Sequence, residues 1–309
     1  MTHQYTNEEI KALEDLGYEI ILRDESSISI SKDIEDIDIM VCSNPFRKID
    51  IREFTNLKWI QVLTSGINHV PLEQLRDMNI TLTNSRGGYS IPIAEWIVLK
   101  VLEMIKNTRE FYKSQEKRQW RQDTTLLELY QKTIGFIGTG SIAQEAAKRL
   151  SGFGVEILGM NYSGGQREYF HECYTVDHLH EILPQCDVVI ITAPSTSDTY
   201  HLLDDRAFSN MKDGTYIVNI ARGNIIDEKA LIDNLNSGKV KKAALDVFEK
   251  EPLPADSPLW TMNNVLISPH NSWASDMDRK RVYEIIYRNM KNYMEGEKLI
   301  NLIDLSASY

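Results

Sequence analysis

The sequence predicts an α/β protein made of two parallel-sheet units in tandem. Three observations carry this. Short apolar runs rich in Val and Ile alternate with helical segments, the pattern of β-α-β repeats. The alternation starts again in mid-chain around a glycine turn, GFIGTG at 135–140. At 309 residues the chain is long enough for two cores and long for a single one.

Before the turn, YEIIL (18–22), IDIMVC (37–42), KWIQVL (58–63) and ITLTN (80–84) read as strands of a small parallel unit. Residues 91–120 then read as one long joining helix, with an apolar stripe through Trp96, Leu99, Val101, Leu102 and Ile105. Thr133 to Ile137 reads as a buried strand, followed by a helix whose apolar positions are Ile142, Ala146, Ala147 and Leu150. Strands follow at VEILGM (155–160), DVVIITAP (187–194), GTYIVNIA (214–221), AALDVF (243–248) and NVLISPH (264–270). The segment 276–297 is amphipathic, with Val282, Ile285, Ile286, Met290 and Tyr293 on its apolar side, and closes the chain as a helix.

Composition narrows the classes. Hydrophobic residues make up 42% and charged residues 26%, ordinary values for a globular chain. Cys42, Cys173 and Cys186 have no paired or metal-like spacing, so neither a disulfide framework nor a metal site is expected, and a reducing, cytoplasmic setting fits. The N-terminus lacks the basic and apolar regions of a signal peptide, and no apolar run is long enough to span a bilayer. A net charge of −11 opposes a polyanionic partner such as a nucleic acid. The densest basic run, KSQEKRQWR at 113–121, is interrupted by polar and acidic residues and reads as a solvated helix face.

The strand, glycine turn and helix at 133–150 have the form of a dinucleotide cradle. A side chain at Gly138 or Gly140 would hold the backbone away from a pyrophosphate seated on the N–H groups of Thr139, Ser141 and Ile142, and Ala143 is the small position where helix meets strand. Such turns also occur in ordinary α/β packing, so the residues downstream decide. In open α/β sheets ligands bind beyond the carboxyl ends of the strands. There this chain places Arg222 after GTYIVNIA, Glu249 and Glu251 after AALDVF, and His270 after NVLISP. Each has an ordinary reading as a helix cap, a turn residue or a loop histidine. Three at successive strand ends point to one chemical edge.

The sequence resembles the D-isomer-specific 2-hydroxyacid dehydrogenases. The matching pieces are TIGFIGTGSIA, DVVIITAPST, MKDGTYIVNIARGNIIDEKAL, AALDVFEKEPLP and NVLISPHNSWAS, with QVLTSGINHV and NSRGGYSIPIAEW nearer the N-terminus. The resemblance implies two Rossmann-like or flavodoxin-like parallel-sheet domains with a cleft between them. Residues 1–98 plus 275–309 would form the substrate domain, and 99–274 the dinucleotide-binding domain. It further implies that Arg222 holds the substrate carboxylate and polarises the C2 carbonyl, that His270 gives or takes the proton at the C2 oxygen, and that Glu251, the carboxylate of the Glu-Pro step, supports the histidine. Ser65, Gly66 and Ile67 would grip the same carboxylate through backbone N–H groups. Trp273, three residues past the histidine, reads either as a wall of the substrate pocket or as core packing. The family often has aspartate after this loop; here Asn68 follows. A homodimer joined through the nucleotide domain is implied as well.

The physical logic agrees. Hydride delivery to C2 of a 2-oxo acid builds negative charge on oxygen, and a protonated imidazole within reach quenches it. A carboxylate beside the imidazole favours its charged form and fixes its orientation. Arg222 can bind a carboxylate through two parallel hydrogen bonds.

The nicotinamide cofactor is NADP or NAD. An NAD enzyme usually ends its second strand with an acid that bonds the ribose hydroxyls. Here the sequence reads Met160-Asn161-Tyr162-Ser163-Gly164-Gly165, with no acid to repel a 2′-phosphate. Asn161, Ser163 and Arg167 could bond one, so NADP is favoured. Ala193, Pro194, Ile220, Ala221 and Asp246, within the later strand runs, complete the expected cofactor contacts. The partner expected is a small 2-oxo or 2-hydroxy acid. The rival reading is a dinucleotide-sensing, corepressor-like regulatory protein of the same fold; no appended interaction segment is visible, which favours the enzyme. An enzyme of this fold acting on formate or phosphite fits less well, because the 64–67 loop lacks the pattern expected there.

Overall fold

The structure, a computed structural model, describes Met1 and residues 5–305. The chain divides into two compact units, Met1–Tyr89 with Ser275–Ser308, and Ser90–Ala274. The expected substrate domain runs four residues past 305, outside the described residues.

In the first unit, β1 (Ile39–Cys42), β2 (Trp59–Val62) and β3 (Thr81–Thr83) form a parallel sheet in that order, with α1 (Asn7–Glu14) and α2 (Leu72–Asp77) in the same unit. A Thr6–Glu9 capping box fixes the start of α1: Glu9 N–H donates to Thr6 Oγ1 at 3.2 Å and Thr6 N–H to Glu9 Oε2 at 2.8 Å. YEIIL, expected to be a strand, is not one. Tyr18 and Ile20 pack on the cluster around Trp59 and Met290, while Ile21 packs on the cluster around Ile51 and Ile60. Alternation records which side each residue buries, and here both sides are satisfied without a ladder to β1. The closing helix, α9 (Asp278–Glu295), buries Val282, Ile286 and Met290 as expected.

A fully buried polar network crosses this unit. Gln61 Oε1 accepts from Thr83 Oγ1 at 2.7 Å and from Asn289 Nδ2 at 2.8 Å, and Trp59 Nε1 donates to Thr83 Oγ1 at 2.8 Å. Satisfied on every side, these groups specify one arrangement of β2, β3 and α9.

The second unit begins with α3 (Ser90–Ile105), and the expected domain boundary after residue 98 falls inside this continuous helix. The long helix expected over 91–120 is two: Asn107, at φ 53°, breaks it, and α4 (Thr108–Glu116) follows. Lys117–Arg121, expected on a helix face, lies beyond α4. The buried stripe of α3 runs through Ile93, Ala94, Ile97, Val101, Met104 and Ile105, while Leu99 is exposed. Leu99 stands about two residues out of phase with that face, so hydrophobicity alone misplaced it.

The sheet of this unit comprises β4 (Thr133–Ile137), β5 (Glu156–Met160), β6 (Glu172–Tyr174), β7 (Val188–Ile191), β8 (Thr215–Asn219), β9 (Val240–Leu245) and β10 (Val265–Ile267). All pairs are parallel, in the order β10-β9-β8-β7-β4-β5-β6. β6 was not expected from the sequence, because a three-residue edge strand with Glu172 and Tyr174 carries no apolar run. β9 ends at Leu245, so Asp246 to Phe248 lie past the strand. Helices α5 (Ser141–Leu150), α6 (Leu179–Ile182), α7 (Asp205–Asn210) and α8 (Glu228–Ser237) complete the unit, with Asp204 and Asp227 capping α7 and α8 through their side chains. The strand order reverses between β4 and β7. In a doubly wound sheet that is where a ligand binds.

Candidate active site

The glycine turn lies at this switch point. Gly138 has φ +96°, and a Cβ there would lie 2.6 Å from the backbone N of Ala193, so the turn after β4 rests against the turn after β7. Gly140 caps α5 without any side-chain hydrogen bond, and a Cβ on it would meet nothing within 4 Å. One glycine is required by packing, the other opens space over the helix N-terminus. Ala143 is fully buried against the sheet, while Ile142, expected in the apolar stripe, is half-buried. This open, uncapped start of a helix fits a pyrophosphate.

At the end of β5, Asn161 builds a turn. Its Oδ1 accepts from the Ser163 N–H and hydroxyl, both at 3.1 Å, and its Nδ2 donates to Gly165 O at 3.0 Å. Tyr162 projects outward, 95% exposed, and Ser163 and Arg167 are also exposed. Asn161 is therefore occupied in shaping the loop, and Ser163 and Arg167 are the groups presented outward.

The ends of β8, β9 and β10 bring Arg222, Glu251 and His270 together. His270 Nδ1 lies 2.7 Å from Glu251 Oε2. Since a carboxylate can only accept, Nδ1 carries the proton and Nε2 is left to exchange one. Glu251 Oε1 accepts the Phe248 N–H at 3.0 Å, which fixes the carboxylate. Burial pulls the Arg222 guanidinium below its ordinary value, and the charge of Glu251 pulls it back up. It stays a cation, with Nη1 donating to Ala221 O at 2.7 Å.

Asp246 has a role the sequence did not show. Expected among the cofactor contacts, it is fully buried, and its carboxylate accepts from the Ser268 hydroxyl and from the N–H groups of Asn271 and Ser272, each of these two at 3.1 Å. Its carbonyl takes the His270 N–H at 2.9 Å. These bonds hold His270 at φ 52°, in the left-handed region. Trp273 Nε1 donates to His270 O at 3.0 Å, so the indole lies beside the histidine. Asn219, buried at the end of β8, was also missed: Nδ2 donates to Arg222 O at 2.9 Å and Oδ1 accepts the Ala221 N–H at 3.0 Å. A buried polar residue closing an apolar strand, TYIVN, was the available signal.

Gly223 explains the Arg-Gly pair. A Cβ there would fall 1.8 Å from Phe248 C, so the turns after β8 and β9 pack backbone to backbone. Ile220 and Ala221 are buried in that turn, Ala193 is buried and Pro194 exposed after β7, and Thr139 is buried beneath the glycine turn. In the first unit, Asn84 Nδ2 donates to Ser65 O at 2.7 Å and Thr64 Oγ1 to Gly66 O at 2.7 Å, which fixes the 64–67 loop.

Comparison with known proteins agrees with this geometry. Residues 98–272 match the NAD binding domain of the D-isomer specific 2-hydroxyacid dehydrogenases. The chain is 31% identical over 300 residues to a D-3-phosphoglycerate dehydrogenase of Methanocaldococcus jannaschii, covering 96% of this chain and 57% of that protein. It thus spans little more than half of that relative. It is 34% identical to a glyoxylate reductase of Thermofilum pendens, over 86% of this chain and 81% of that one. A D-isomer specific 2-hydroxyacid dehydrogenase from Xanthobacter autotrophicus Py2, solved with NADPH and MES, superposes with a TM-score of 0.83 at 25% identity, covering 99% of this chain and 96% of the other. These relatives are enzymes, and none of them favours the regulatory reading. The chain belongs to the D-isomer specific 2-hydroxyacid dehydrogenase family of NAD(P)-dependent oxidoreductases.

Proposed function

We propose that the chain interconverts a 2-oxo acid and its D-2-hydroxy acid, with NADP(H) favoured over NAD(H). The observation that carries this is the 2.7 Å contact between His270 and Glu251 beside the half-buried Arg222. When bound, the reduced cofactor supplies the hydride that C2 receives. Gly138, Thr139, Gly140, Ser141 and Ile142 would cradle its pyrophosphate, and Ser163 and Arg167 its 2′-phosphate. Ala193, Pro194, Ile220 and Ala221, beyond β7 and β8, would flank it.

Arg222 holds the substrate carboxylate and draws charge toward the carbonyl oxygen. His270 Nε2 delivers a proton to that oxygen as it becomes an alkoxide, and Glu251 steadies the imidazolium that donates it. Trp273, beside His270, would line the side-chain pocket. The names of the relatives support small substrates of the glyoxylate, phosphoglycerate or lactate type. The test is loss of NADPH or NADH absorbance across a panel of 2-oxo acids. Turnover of one or more supports the reading, and no turnover with either cofactor overturns it.

A homodimer is part of this reading, and α4 and the segment beyond it support it. No residue of α4 is buried, Tyr112 is 59% exposed and Trp120 96%. Phe111, Leu126 and Leu127 are exposed in the same stretch of chain, apolar residues that a second copy could cover. A solution mass of twice 35.6 kDa supports a homodimer, and a concentration-independent mass of 35.6 kDa argues against it. No helix among the described residues is long and apolar enough to cross a membrane. Three free cysteines, two of them buried, support a reducing, cytoplasmic setting.

A further inference from the structure

The turns after β7, β8 and β9 meet at one side chain outside the triad. His201, on the turn after β7, donates its backbone N–H to Asn224 O at 2.8 Å, two residues beyond Arg222. Its Nε2 lies 2.8 Å from Glu249 Oε1, two residues before Glu251. That same oxygen accepts the Glu228 N–H at 3.1 Å, and the Glu249 N–H returns to Glu228 Oε2 at 3.4 Å. Asp227 Oδ2 stands 3.9 Å from Nδ1, and the Tyr200 ring stacks on the imidazole at 4.0 Å.

The backbone of His201 is left-handed, at φ 48°. Asparagine adopts that conformation at least as readily, so the conformation alone does not call for a histidine. The reach of an imidazole to Glu249 does. The turns bearing Arg222 and Glu251 already touch at Gly223 and Phe248. The reciprocal bonds between Glu228 and Glu249 hold the far end of the same segment, at the start of α8, against the turn after β9. The path from Asn224 through His201 to Glu249 adds a tie at the middle of the turn, two residues from Arg222. Glu251 in turn sets the orientation of His270 through the 2.7 Å bond.

We propose that His201 is a positioning residue: its imidazole, bonded to Glu249, fixes the turn carrying Arg222 against the turn carrying Glu251. This rests on the oxidoreductase reading above. The variants are His201→Asn, which keeps the backbone conformation but is too short to reach Glu249, Glu249→Ala, and the double variant. His201→Asn should lower kcat by about tenfold with the NADPH dissociation constant held within about twofold, and amide exchange should quicken over 222–226 and 248–253. The double variant should lose little more than Glu249→Ala alone, because Glu249→Ala already removes the His201 bond together with the acceptor for the Glu228 N–H. A His201→Asn kcat within about twofold of wild type, additive losses, or unchanged exchange at the two turns would each overturn the proposal. If the wild type reduces no 2-oxo acid, the functional reading fails by itself, and the exchange measurement still decides whether His201 ties the turns.

Discussion

His270 Nδ1 and Glu251 Oε2 stand 2.7 Å apart, while Arg222, close enough to feel the charge of Glu251, approaches from the end of β8. On the proposed mechanism the three groups divide the work: His270→Ala would remove the proton donor and Arg222→Ala the carboxylate grip, and each should cut kcat/KM by about a hundredfold or more. Arg222→Lys should recover only part, since a single ammonium replaces a two-pronged contact. Glu251→Gln keeps the size of the side chain but loses the carboxylate that accepts the His270 Nδ1–H, so it should lower kcat with the NADPH dissociation constant close to wild type. Wild-type turnover in His270→Ala on the best substrate would sink the mechanism.

The two glycines of the turn should separate stability from binding. Gly140→Ala meets nothing within 4 Å in the protein, so its unfolding midpoint should stay close to wild type. Its NADPH affinity should fall by about tenfold or more, because the methyl fills the space over the helix N-terminus. Gly138→Ala, at φ +96° and with its Cβ 2.6 Å from Ala193 N, should instead be destabilised, with binding lost as a consequence. Thermal melts with and without cofactor distinguish the two patterns. Equal loss of stability in both variants would refute the division.

Both sheets, the glycine turn and the triad were legible because each leaves a local mark: an apolar run of strand length, a Gly-x-Gly before a helix, a charged residue just past a strand. Apart from Asn219, what was missed has no such mark. Asp246 and His201 act through bonds to segments more than 20 residues away, Ser268 to Ser272 and Glu249, which no local pattern shows. YEIIL reads as a strand because its side chains are buried on two sides, and only the pairing of the backbone could say that it has no ladder. The break at Asn107 fails to show because asparagine tolerates both helix and the left-handed region.

Glu228 gives a test of the electrostatics around these turns. Burial holds its carboxyl above the ordinary value of 4.5, the charge of Glu249 adds to this, and the Glu249 N–H pulls the other way. An acid raised in the folded state gives its full contribution to stability below its unfolded value and loses it as pH climbs through the folded one. Glu228→Gln keeps an acceptor for that N–H and does not titrate. The unfolding midpoint of Glu228→Gln minus that of wild type should therefore rise with pH from about 4.5 upward and level off above the folded value. A difference that is flat, or falls with pH, would show that burial is not the dominant influence on this group.

Cofactor choice rests on the loop after β5, where no acid stands from Asn161 to Arg167 and Ser163 and Arg167 face outward. NADPH should bind at least as tightly as NADH, and Arg167→Ala should weaken NADPH alone. Asn161→Asp is the sharper variant. It places a negative charge at the base of the loop and also replaces the Nδ2 that donates to Gly165 O at 3.0 Å with an oxygen that cannot donate. The loop loses one bond for both cofactors, but only NADPH carries a 2′-phosphate for the new charge to repel. Some weakening of NADH is thus expected, and a larger weakening of NADPH, with a relative swing of about 1–3 kcal/mol, the range for losing or opposing a charge-assisted contact. Four dissociation constants measure it, two cofactors against two proteins, and the ratio cancels the shared cost of the lost bond. A wild type that prefers NADH by about tenfold, roughly 1.4 kcal/mol, would mean that this neutral loop reads the ribose hydroxyls, and the NADP assignment would fall while the triad stood.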